Sequence, residues 1–282
     1  MSTKRIVTLL LLATLILAIG LAVMSRVGEV LVDWLWFSSV GYGSVFWTML
    51  GAKAVLFAGA FLLSAGFFLV NGALALRLSG RTRPSPPADI NPPSIPAHTT
   101  SELLAQMRPH VPWGIVVGAG AGVLGLLVAT GETSNWDVFL QFLYHVPYGE
   151  SDPVYGKDIA FYLFSLPAYV AVKNWMLTTL VVGALFTAAV YWVQGDIELE
   201  NQRRSMSPIV IAHGSALLGL FFAVKAFSYA LDRYLLLFAD NGVVAGASFT
   251  DIWIRLPVLW LLIALAVVAA VEIGRASCRE RV

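Results

Sequence analysis

The sequence predicts an all-α protein, a polytopic bundle of helices that cross a membrane. The chain of 282 residues is 58% hydrophobic and only 12% charged, whereas soluble domains carry about 25% charged residues. Its apolar residues also form six segments of membrane-spanning length, since a helix needs about 20 residues to cross a core about 30 Å thick. The predicted spans are 6–24, 45–76, 112–131, 167–193, 208–231 and 257–271.

The first span, 6–24, follows Lys4 and Arg5, so a signal peptide is an alternative interpretation. Its apolar run exceeds the usual ~7–15 residues and lacks a clean cleavage site, which favours an uncleaved anchor. Proline marks the start of four later spans, because its missing N–H has no partner to lose in the first helical turn. These prolines are Pro112, Pro167, Pro208 and Pro257.

The basic residues predict an inside N-terminus, because Lys and Arg concentrate in short cytoplasmic loops. The inner set is Lys4, Arg5, Arg77, Arg81, Arg83, Arg108, Arg203 and Arg204, and the outer set is Arg26, Lys157, Arg233 and Arg255. The larger inner set decides the orientation. We therefore expect a multi-pass protein of the cell membrane with a cytoplasmic N-terminus.

Two patterned segments are predicted on the outer side. Residues 148–167 (YGESDPVYGKDIAFYLFSLP) are too polar for a span and too patterned for a linker, so we expect an ordered loop. Residues 132–148 carry apolar side chains at helical spacing, which predicts an interfacial amphipathic helix. Its apolar face is Trp136, Phe139, Leu140, Leu143 and Tyr144. Tryptophan also concentrates at predicted outer ends, as Trp34, Trp36, Trp47, Trp136, Trp175, Trp253 and Trp260.

Three lysines lie inside predicted spans, where charged residues are functional candidates by default. Lys53, Lys173 and Lys225 all lie within about two turns of the outer helix ends, so their ammonium groups can reach the interface. The sharper hypothesis is that they pair with outer carboxylates such as Asp152, Asp158 or Asp232 and fix the loops on the bundle.

Two carboxylates six residues apart, Asp152 and Asp158, could bind a divalent cation or act as acid and base. A structural role is favoured, because Asp-Pro sets a turn and Asp158 can cap the following helix. Asp232 and Arg233 indicate a helix end with local charge pairing. The outer-face polar candidates are therefore Lys53, Asp152, Asp158, Lys173, Lys225, Asp232 and Arg233.

No catalytic, cofactor or metal site is predicted. The sequence holds no H-E-x-x-H, G-x-S-x-G, P-loop or C-x-x-C motif, and it has a single cysteine, Cys278. The net charge of +1 gives no indication of nucleic-acid binding. Whether the protein is an enzyme stays open, although the motifs favour a non-enzyme.

The glycines of the third predicted span carry two overlapping patterns. Gly120, Gly122 and Gly125 match G-x-G-x-x-G, but the match lies mid-span and lacks the βαβ unit that a dinucleotide needs. Gly114, Gly118 and Gly122 form tandem G-x-x-x-G, which lets helix backbones approach closely. We expect helix packing from this set, including self-association.

Three blocks together resemble one protein family: 33–48 (DWLWFSSVGYGSVFWT), 148–167, and 225–251 (KAFSYALDRYLLLFADNGVVAGASFTD). In this order they resemble the uncharacterised protein family numbered 0182, which comprises large bacterial multi-pass membrane proteins. The resemblance implies about seven spans followed by a large extracytoplasmic domain. It implies no catalytic residues.

The final residues, 272–282 (EIGRASCRERV), turn abruptly basic after the apolar run and match the translation of a sequencing-adapter read-through. We expect a truncated reading frame with a non-biological tail and a missing extracytoplasmic C-terminal domain.

The expected function is to anchor and orient that domain in the bacterial envelope, with the lipid bilayer and an envelope protein as partners. A transporter or channel is the first alternative and requires a polar path across the midplane. An enzyme that acts on a lipid-linked substrate is the second. It requires Asp152, Asp158, Lys173 and Asp232 to converge in one outer cavity.

Overall fold

The computed structural model describes residues 27–79, 111–198, 205–239 and 246–279. Over these ranges the chain is helical apart from loops and one short strand pair, so the predicted all-α class is confirmed. The described residues fall into two compact units, one within Met1–Val55 and one within Leu56–Val282. The helices are α1 (27–39), α2 (Gly43–Leu78), α3 (Trp113–Glu132), α4 (Trp136–Tyr144), α5 (Leu166–Gln194), α6 (Pro208–Leu235) and α7 (Leu256–Arg279).

Within the described residues, five helical stretches are long and apolar enough to cross a membrane, and each overlaps one of the predicted spans. They are Gly43–Leu78, Trp113–Tyr144, Phe161–Gln194, Pro208–Phe238 and Asp251–Arg275. The prediction for 6–24 lies outside the described residues. Large apolar side chains remain exposed on these helices, including Leu62 (68%), Ile115 (71%) and Leu185 (68%). Because water disfavours such a surface and hydrocarbon does not, the chain is a membrane protein.

In the first unit, a tight turn joins α1 to α2. Gly41 has a φ of +81°, a conformation that glycine adopts without strain, and the amide of Tyr42 donates to the carbonyl of Phe37 at 2.8 Å. Phe46 is buried, and its ring centroid lies 6.1 Å from that of Phe37 and 5.3 Å from that of Trp47. Aromatic packing therefore holds the two helices around this turn.

Two spans begin before their prolines, which corrects the predicted starts at Pro167 and Pro257. A π-helical turn precedes each proline, at Phe161–Ser165 before α5 and at Asp251–Arg255 before α7. In a regular α-helix the proline ring collides with the carbonyl four residues back. A wider turn relieves this collision and pairs the remaining backbone groups, so the helix continues through the proline.

In the second unit, glycines let α2, α3 and α5 pack closely. A Cβ at Gly125 of α3 would lie 2.6 Å from the Cβ of Ala65 and 3.0 Å from its backbone nitrogen. A Cβ at Gly183 of α5 would lie 2.5 Å from Cε1 of Phe67. Around these contacts, Phe68 and Ala121 are buried in one apolar cluster. α2 and α3 thus approach each other more closely than larger side chains would allow.

The G-x-x-x-G glycines of α3 have a different environment from the predicted one. Among the described residues, nothing lies within 4 Å of a Cβ built at Gly114, Gly118 or Gly122. Close packing within this chain uses Gly125 instead, because sequence spacing does not decide which face of a helix meets a neighbour. Self-association through the open face stays a prediction.

α5 and α6 run antiparallel and are joined by a short hairpin, β1 (Ile197–Glu198) with β2 (Ser205–Met206). α5 ends where Gly195 turns left-handed at a φ of +76°. Ser207 caps α6, and its amide donates to the carbonyl of Asp196 at 3.2 Å. We call this side of the second unit the hairpin end. The opposite side, where α5 begins and α6 ends, is the loop end.

Replacing Gly125 with leucine should destabilise the protein by ~1–3 kcal/mol, because the new side chain would force α3 away from the backbone of Ala65. The matched control is Gly118→Leu on the same helix, where a Cβ meets open space. Thermal unfolding in detergent measures both. Equal losses from the two substitutions would contradict the packing described here.

Candidate functional site

Asp152 organises the loop that precedes α5. Its carboxylate accepts the backbone amides of Val154 (2.7 Å), Tyr155 (3.0 Å) and Lys157 (3.2 Å), and the hydroxyl of Tyr162 (2.6 Å). Partial burial acts to raise the pKa of Asp152, but the Tyr162 hydroxyl and the three amides lower it below its usual value. The carboxylate is therefore held ionised by the loop itself.

Asp158 closes the same loop from its other side. Its carboxylate accepts the backbone amides of Gly149 (2.9 Å), Ala160 (2.7 Å) and Tyr148 (3.0 Å). These amides lower the pKa of Asp158, and the nearby His145 adds a smaller effect in the same direction. The predicted structural role of Asp158 at the start of a helix agrees with this geometry.

Tyr155 docks the loop on α6. Its hydroxyl donates to the backbone carbonyl of Arg233 at 2.8 Å, and its ring lies 5.0 Å from that of Tyr234 in an edge contact. Burial raises the pKa of Tyr155, so its hydroxyl remains a donor at neutral pH. The guanidinium of Arg233 in turn lies 4.0 Å from the ring centroid of Trp260 on α7. Arg233 of α6 thus contacts both the loop, through its backbone carbonyl, and α7, through its guanidinium.

We call this assembly the loop platform: residues 148–160 together with Arg233, Tyr234 and Trp260. Its apolar support is a cluster in which Tyr162, Leu166 and Leu231 are buried. Residues 148–160, which precede α5, are therefore held in place by side chains at the start of α5 and at the end of α6. The predicted ordered loop over 148–167 is therefore found at 148–160, whereas residues 161–167 belong to the helical stretch that begins at Phe161.

Asp251, which the sequence analysis did not select, fixes the start of the last span. It is 2% exposed and accepts the amide (2.9 Å) and hydroxyl (2.7 Å) of Ser248, while Arg255 donates to its other oxygen at 2.9 Å. The sequence signal was present, since Ser248 and Asp251 have the S-x-x-D spacing of a helix cap. The residue is a structural cap.

The predicted lysine pairs have a different geometry. The ammonium of Lys225 lies 4.4 Å from the ring centroid of Tyr229, one turn along α6. Lys173 is half-buried on α5 and Asp232 is half-buried on α6. The donors to Asp152 and Asp158 come from the loop and from Tyr162. The platform therefore joins Asp152, Asp158 and Arg233, and it does not use the predicted lysines as partners of its carboxylates.

Lys53 lies on α2 within the first unit and is half-buried. Within the described ranges, no group of three or more His, Cys, Asp or Glu side chains could hold a metal ion.

α4 covers the middle of the segment predicted as an interfacial helix. Leu143 and Tyr144 of the predicted apolar face stay exposed. Phe142, which the predicted face does not include, packs against Tyr169 of α5 with ring centroids 5.7 Å apart, and Nδ1 of His145 lies 2.7 Å from the carbonyl of Phe142. Phe142 therefore connects α4 with α5, and the interfacial position of the helix stays a prediction.

Three polar side chains inside the spans are hydrogen-bonded to one another. Nε1 of Trp175 donates to Oγ of Ser64 at 3.0 Å, and Oγ of Ser64 lies 3.2 Å from Oγ1 of Thr179. Trp175 therefore links α5 to α2 through a hydrogen bond to the buried side chain of Ser64.

A second polar group joins three helices near the hairpin end. The amide nitrogen of Asn71 donates to the carbonyl of Phe67 at 2.7 Å, so its oxygen is left to accept from Nε2 of His213 at 3.1 Å. Nδ1 of His213 then accepts the hydroxyl of Tyr191 at 2.9 Å. The arrangement stabilises contacts among α2, α5 and α6.

Comparison with known sequences shows the family of the chain. The profile of the uncharacterised protein family UPF0182 matches residues 9–282. The chain belongs to the UPF0182 family.

Curated UPF0182 proteins cover most of the chain. The protein of Bradyrhizobium diazoefficiens is 53% identical over 261 residues, which is 93% of this chain and 28% of the relative. That of Cupriavidus necator is 44% identical over 92% of this chain and 28% of the relative. That of Thermobifida fusca is 34% identical over 85% of this chain and 22% of the relative. No solved structure matches the chain.

The chain thus spans about a quarter of the length of these UPF0182 relatives. The predicted family resemblance is confirmed. The assignment of 272–282 as a non-biological tail stays a prediction, and α7 continues through its first residues to Arg279.

Acid should release the loop of this UPF0182 chain. Because the pKa values of Asp152 and Asp158 are lowered on folding from the usual 3.8, their stabilisation is complete above that value and is lost as pH falls below it. A nitroxide at Val154→Cys, in a Cys278→Ser background, should be immobile at pH 7. It should become mobile at pH values low enough to protonate both carboxylates. Electron paramagnetic resonance spectra measure this mobility.

In the same assay, Asp152→Ala should make the nitroxide mobile at pH 7, because four donors lose their acceptor. The matched control is Asp137→Ala, an exposed carboxylate on α4. A label that stays immobile in Asp152→Ala would contradict the role given to this carboxylate.

Proposed function

We propose that these helices anchor and orient an extracytoplasmic domain in the bacterial cell membrane. The observation that carries the proposal is the loop platform. Its loop is closed by its own carboxylates, docked on α6 through Tyr155, and connected to α7 through Arg233. Such a surface is stiff, because its donors and acceptors are paired within the bundle. A stiff surface at a membrane face is suited to holding a domain at a fixed angle.

The length of the relatives supports the same function. Their sequences extend well beyond the part that this chain matches, with 28% of the Bradyrhizobium relative covered. In a protein of that length, the remaining polypeptide must lie on one side of the membrane or the other. The excess of Lys and Arg on the hairpin side favours a cytoplasmic hairpin end. The loop platform would then face the outside, where the additional domain is expected.

The arrangement of polar groups gives less support to a transporter or an enzyme. Among the described residues, every buried side-chain nitrogen or oxygen has a hydrogen-bond partner. Ser64, Thr179 and Trp175 satisfy one another inside the spans. Asp152 accepts three loop amides and the Tyr162 hydroxyl, and Asp158 accepts three backbone amides, which leaves both carboxylates poorly placed for acid–base work.

The test uses the protein with its complete reading frame in nanodiscs. One nitroxide is placed at Ser151→Cys and a second in the polypeptide that follows the bundle, and pulsed electron resonance gives the distance distribution. We expect a narrow distribution in the parent protein. Tyr155→Phe combined with Asp152→Ala should broaden it, while the Asp137→Ala control should not.

A broad distribution in the parent protein, or one that the platform variants leave unchanged, would contradict an orienting role. Solute flux into proteoliposomes that is lost on Ser64→Ala would instead favour the transporter alternative.

A further inference from the structure

An apolar groove runs between α5 and α6 toward the hairpin end. Its volume is about 520 Å³, within the ~300–1,000 Å³ range of small-molecule sites. The lining is almost entirely hydrocarbon, and none of the described residues that form it is charged. On α5 it begins at Leu180 and ends at Tyr191, and on α6 it runs from Val210 to Phe221. Ile197 of β1 lies at its hairpin end.

The length of the groove matches one leaflet of a bilayer. Leu180 and Phe221 lie near the midpoints of their helices, and Tyr191 and Val210 lie near the ends. At ~1.5 Å per residue, the groove is about 16 Å long, close to half of a hydrocarbon core of about 30 Å. A helix from a second copy would cross both leaflets, whereas an acyl chain fills one.

The polar group at the hairpin end does not offer a headgroup site. Tyr191 is 2% exposed, and its hydroxyl already bonds to His213. The groove therefore presents hydrocarbon to its occupant and no free donor. We propose that it holds one acyl chain of a phospholipid from the leaflet at the hairpin end. The chain packs against two helices at once, and van der Waals packing is the main attraction available within a bilayer.

Gly214 offers a direct way to close the groove. It lines the groove on α6, and nothing among the described residues lies within 4 Å of a Cβ built there. Gly214→Phe should therefore enter the open space without displacing the backbone. Gly118→Phe on α3 is the matched control, since a Cβ there also meets open space but lies outside the groove lining.

The experiment places the full chain in nanodiscs of phosphatidylethanolamine and phosphatidylglycerol with a small fraction of phosphatidylcholine that carries a diazirine in one acyl chain. After illumination, mass spectrometry locates the labelled residues. Labelling at Leu185 and Leu218 should exceed labelling at exposed Leu127 of α3 by roughly fivefold, because a chain in the groove packs on two helices. Gly214→Phe should abolish this excess, and Gly118→Phe should preserve it.

Even labelling of all three leucines, or an excess that survives Gly214→Phe, would overturn the proposal. Crosslinks between copies through Leu185 or Leu218 would also overturn it, in favour of a dimer interface. Should Gly214→Phe fail to fold, Ala188→Phe on α5 closes the groove from its other wall and takes its place.

Discussion

The absence of water inside a bilayer is the constraint on which this structure depends. A polar group in hydrocarbon must find its partner within the protein, at a cost of several kcal/mol if it does not. The long helices satisfy this demand for the backbone. Side chains meet it in small closed sets, such as Ser64 with Thr179 and Trp175, and Asn71 with His213 and Tyr191. Both sets also join helices that are distant in sequence.

The same constraint relaxes at the loop end, where water is available, and the chain uses charge there. Asp152, Asp158 and Asp251 each accept backbone amides, so each carboxylate fixes a segment of irregular backbone beside a span. Lipid-facing surfaces follow the opposite rule and keep large apolar side chains exposed. These two surfaces give a helical bundle whose loop is fixed at one face and whose sides are compatible with lipid. The acyl-chain groove belongs to the second surface.

Sequence periodicity and composition predicted the helical class and the five long apolar helices, because hydrophobic length is a local property. The sequence also indicated the structural roles of Asp152 and Asp158, since turns and helix caps are local as well. Contacts between helices could not be predicted in this way. The inward hydrogen bond of Trp175, the close approach at Gly125 and the contact of Phe142 with α5 all depend on which helix lies opposite. Asp251 could have been found from its spacing to Ser248.

The accessibility of cysteines in native membranes tests whether the apolar surface of these helices faces lipid. In a Cys278→Ser background, Ser151→Cys lies in the loop platform and Leu185→Cys lies on the exposed apolar surface of α5. A water-soluble maleimide should label Ser151→Cys readily, because the loop lies in water. Leu185→Cys should react only after the membrane is dissolved in denaturing detergent, because lipid covers it. Equally rapid labelling of both cysteines in intact membranes would show that the apolar surface of α5 faces water and that these helices do not cross the bilayer.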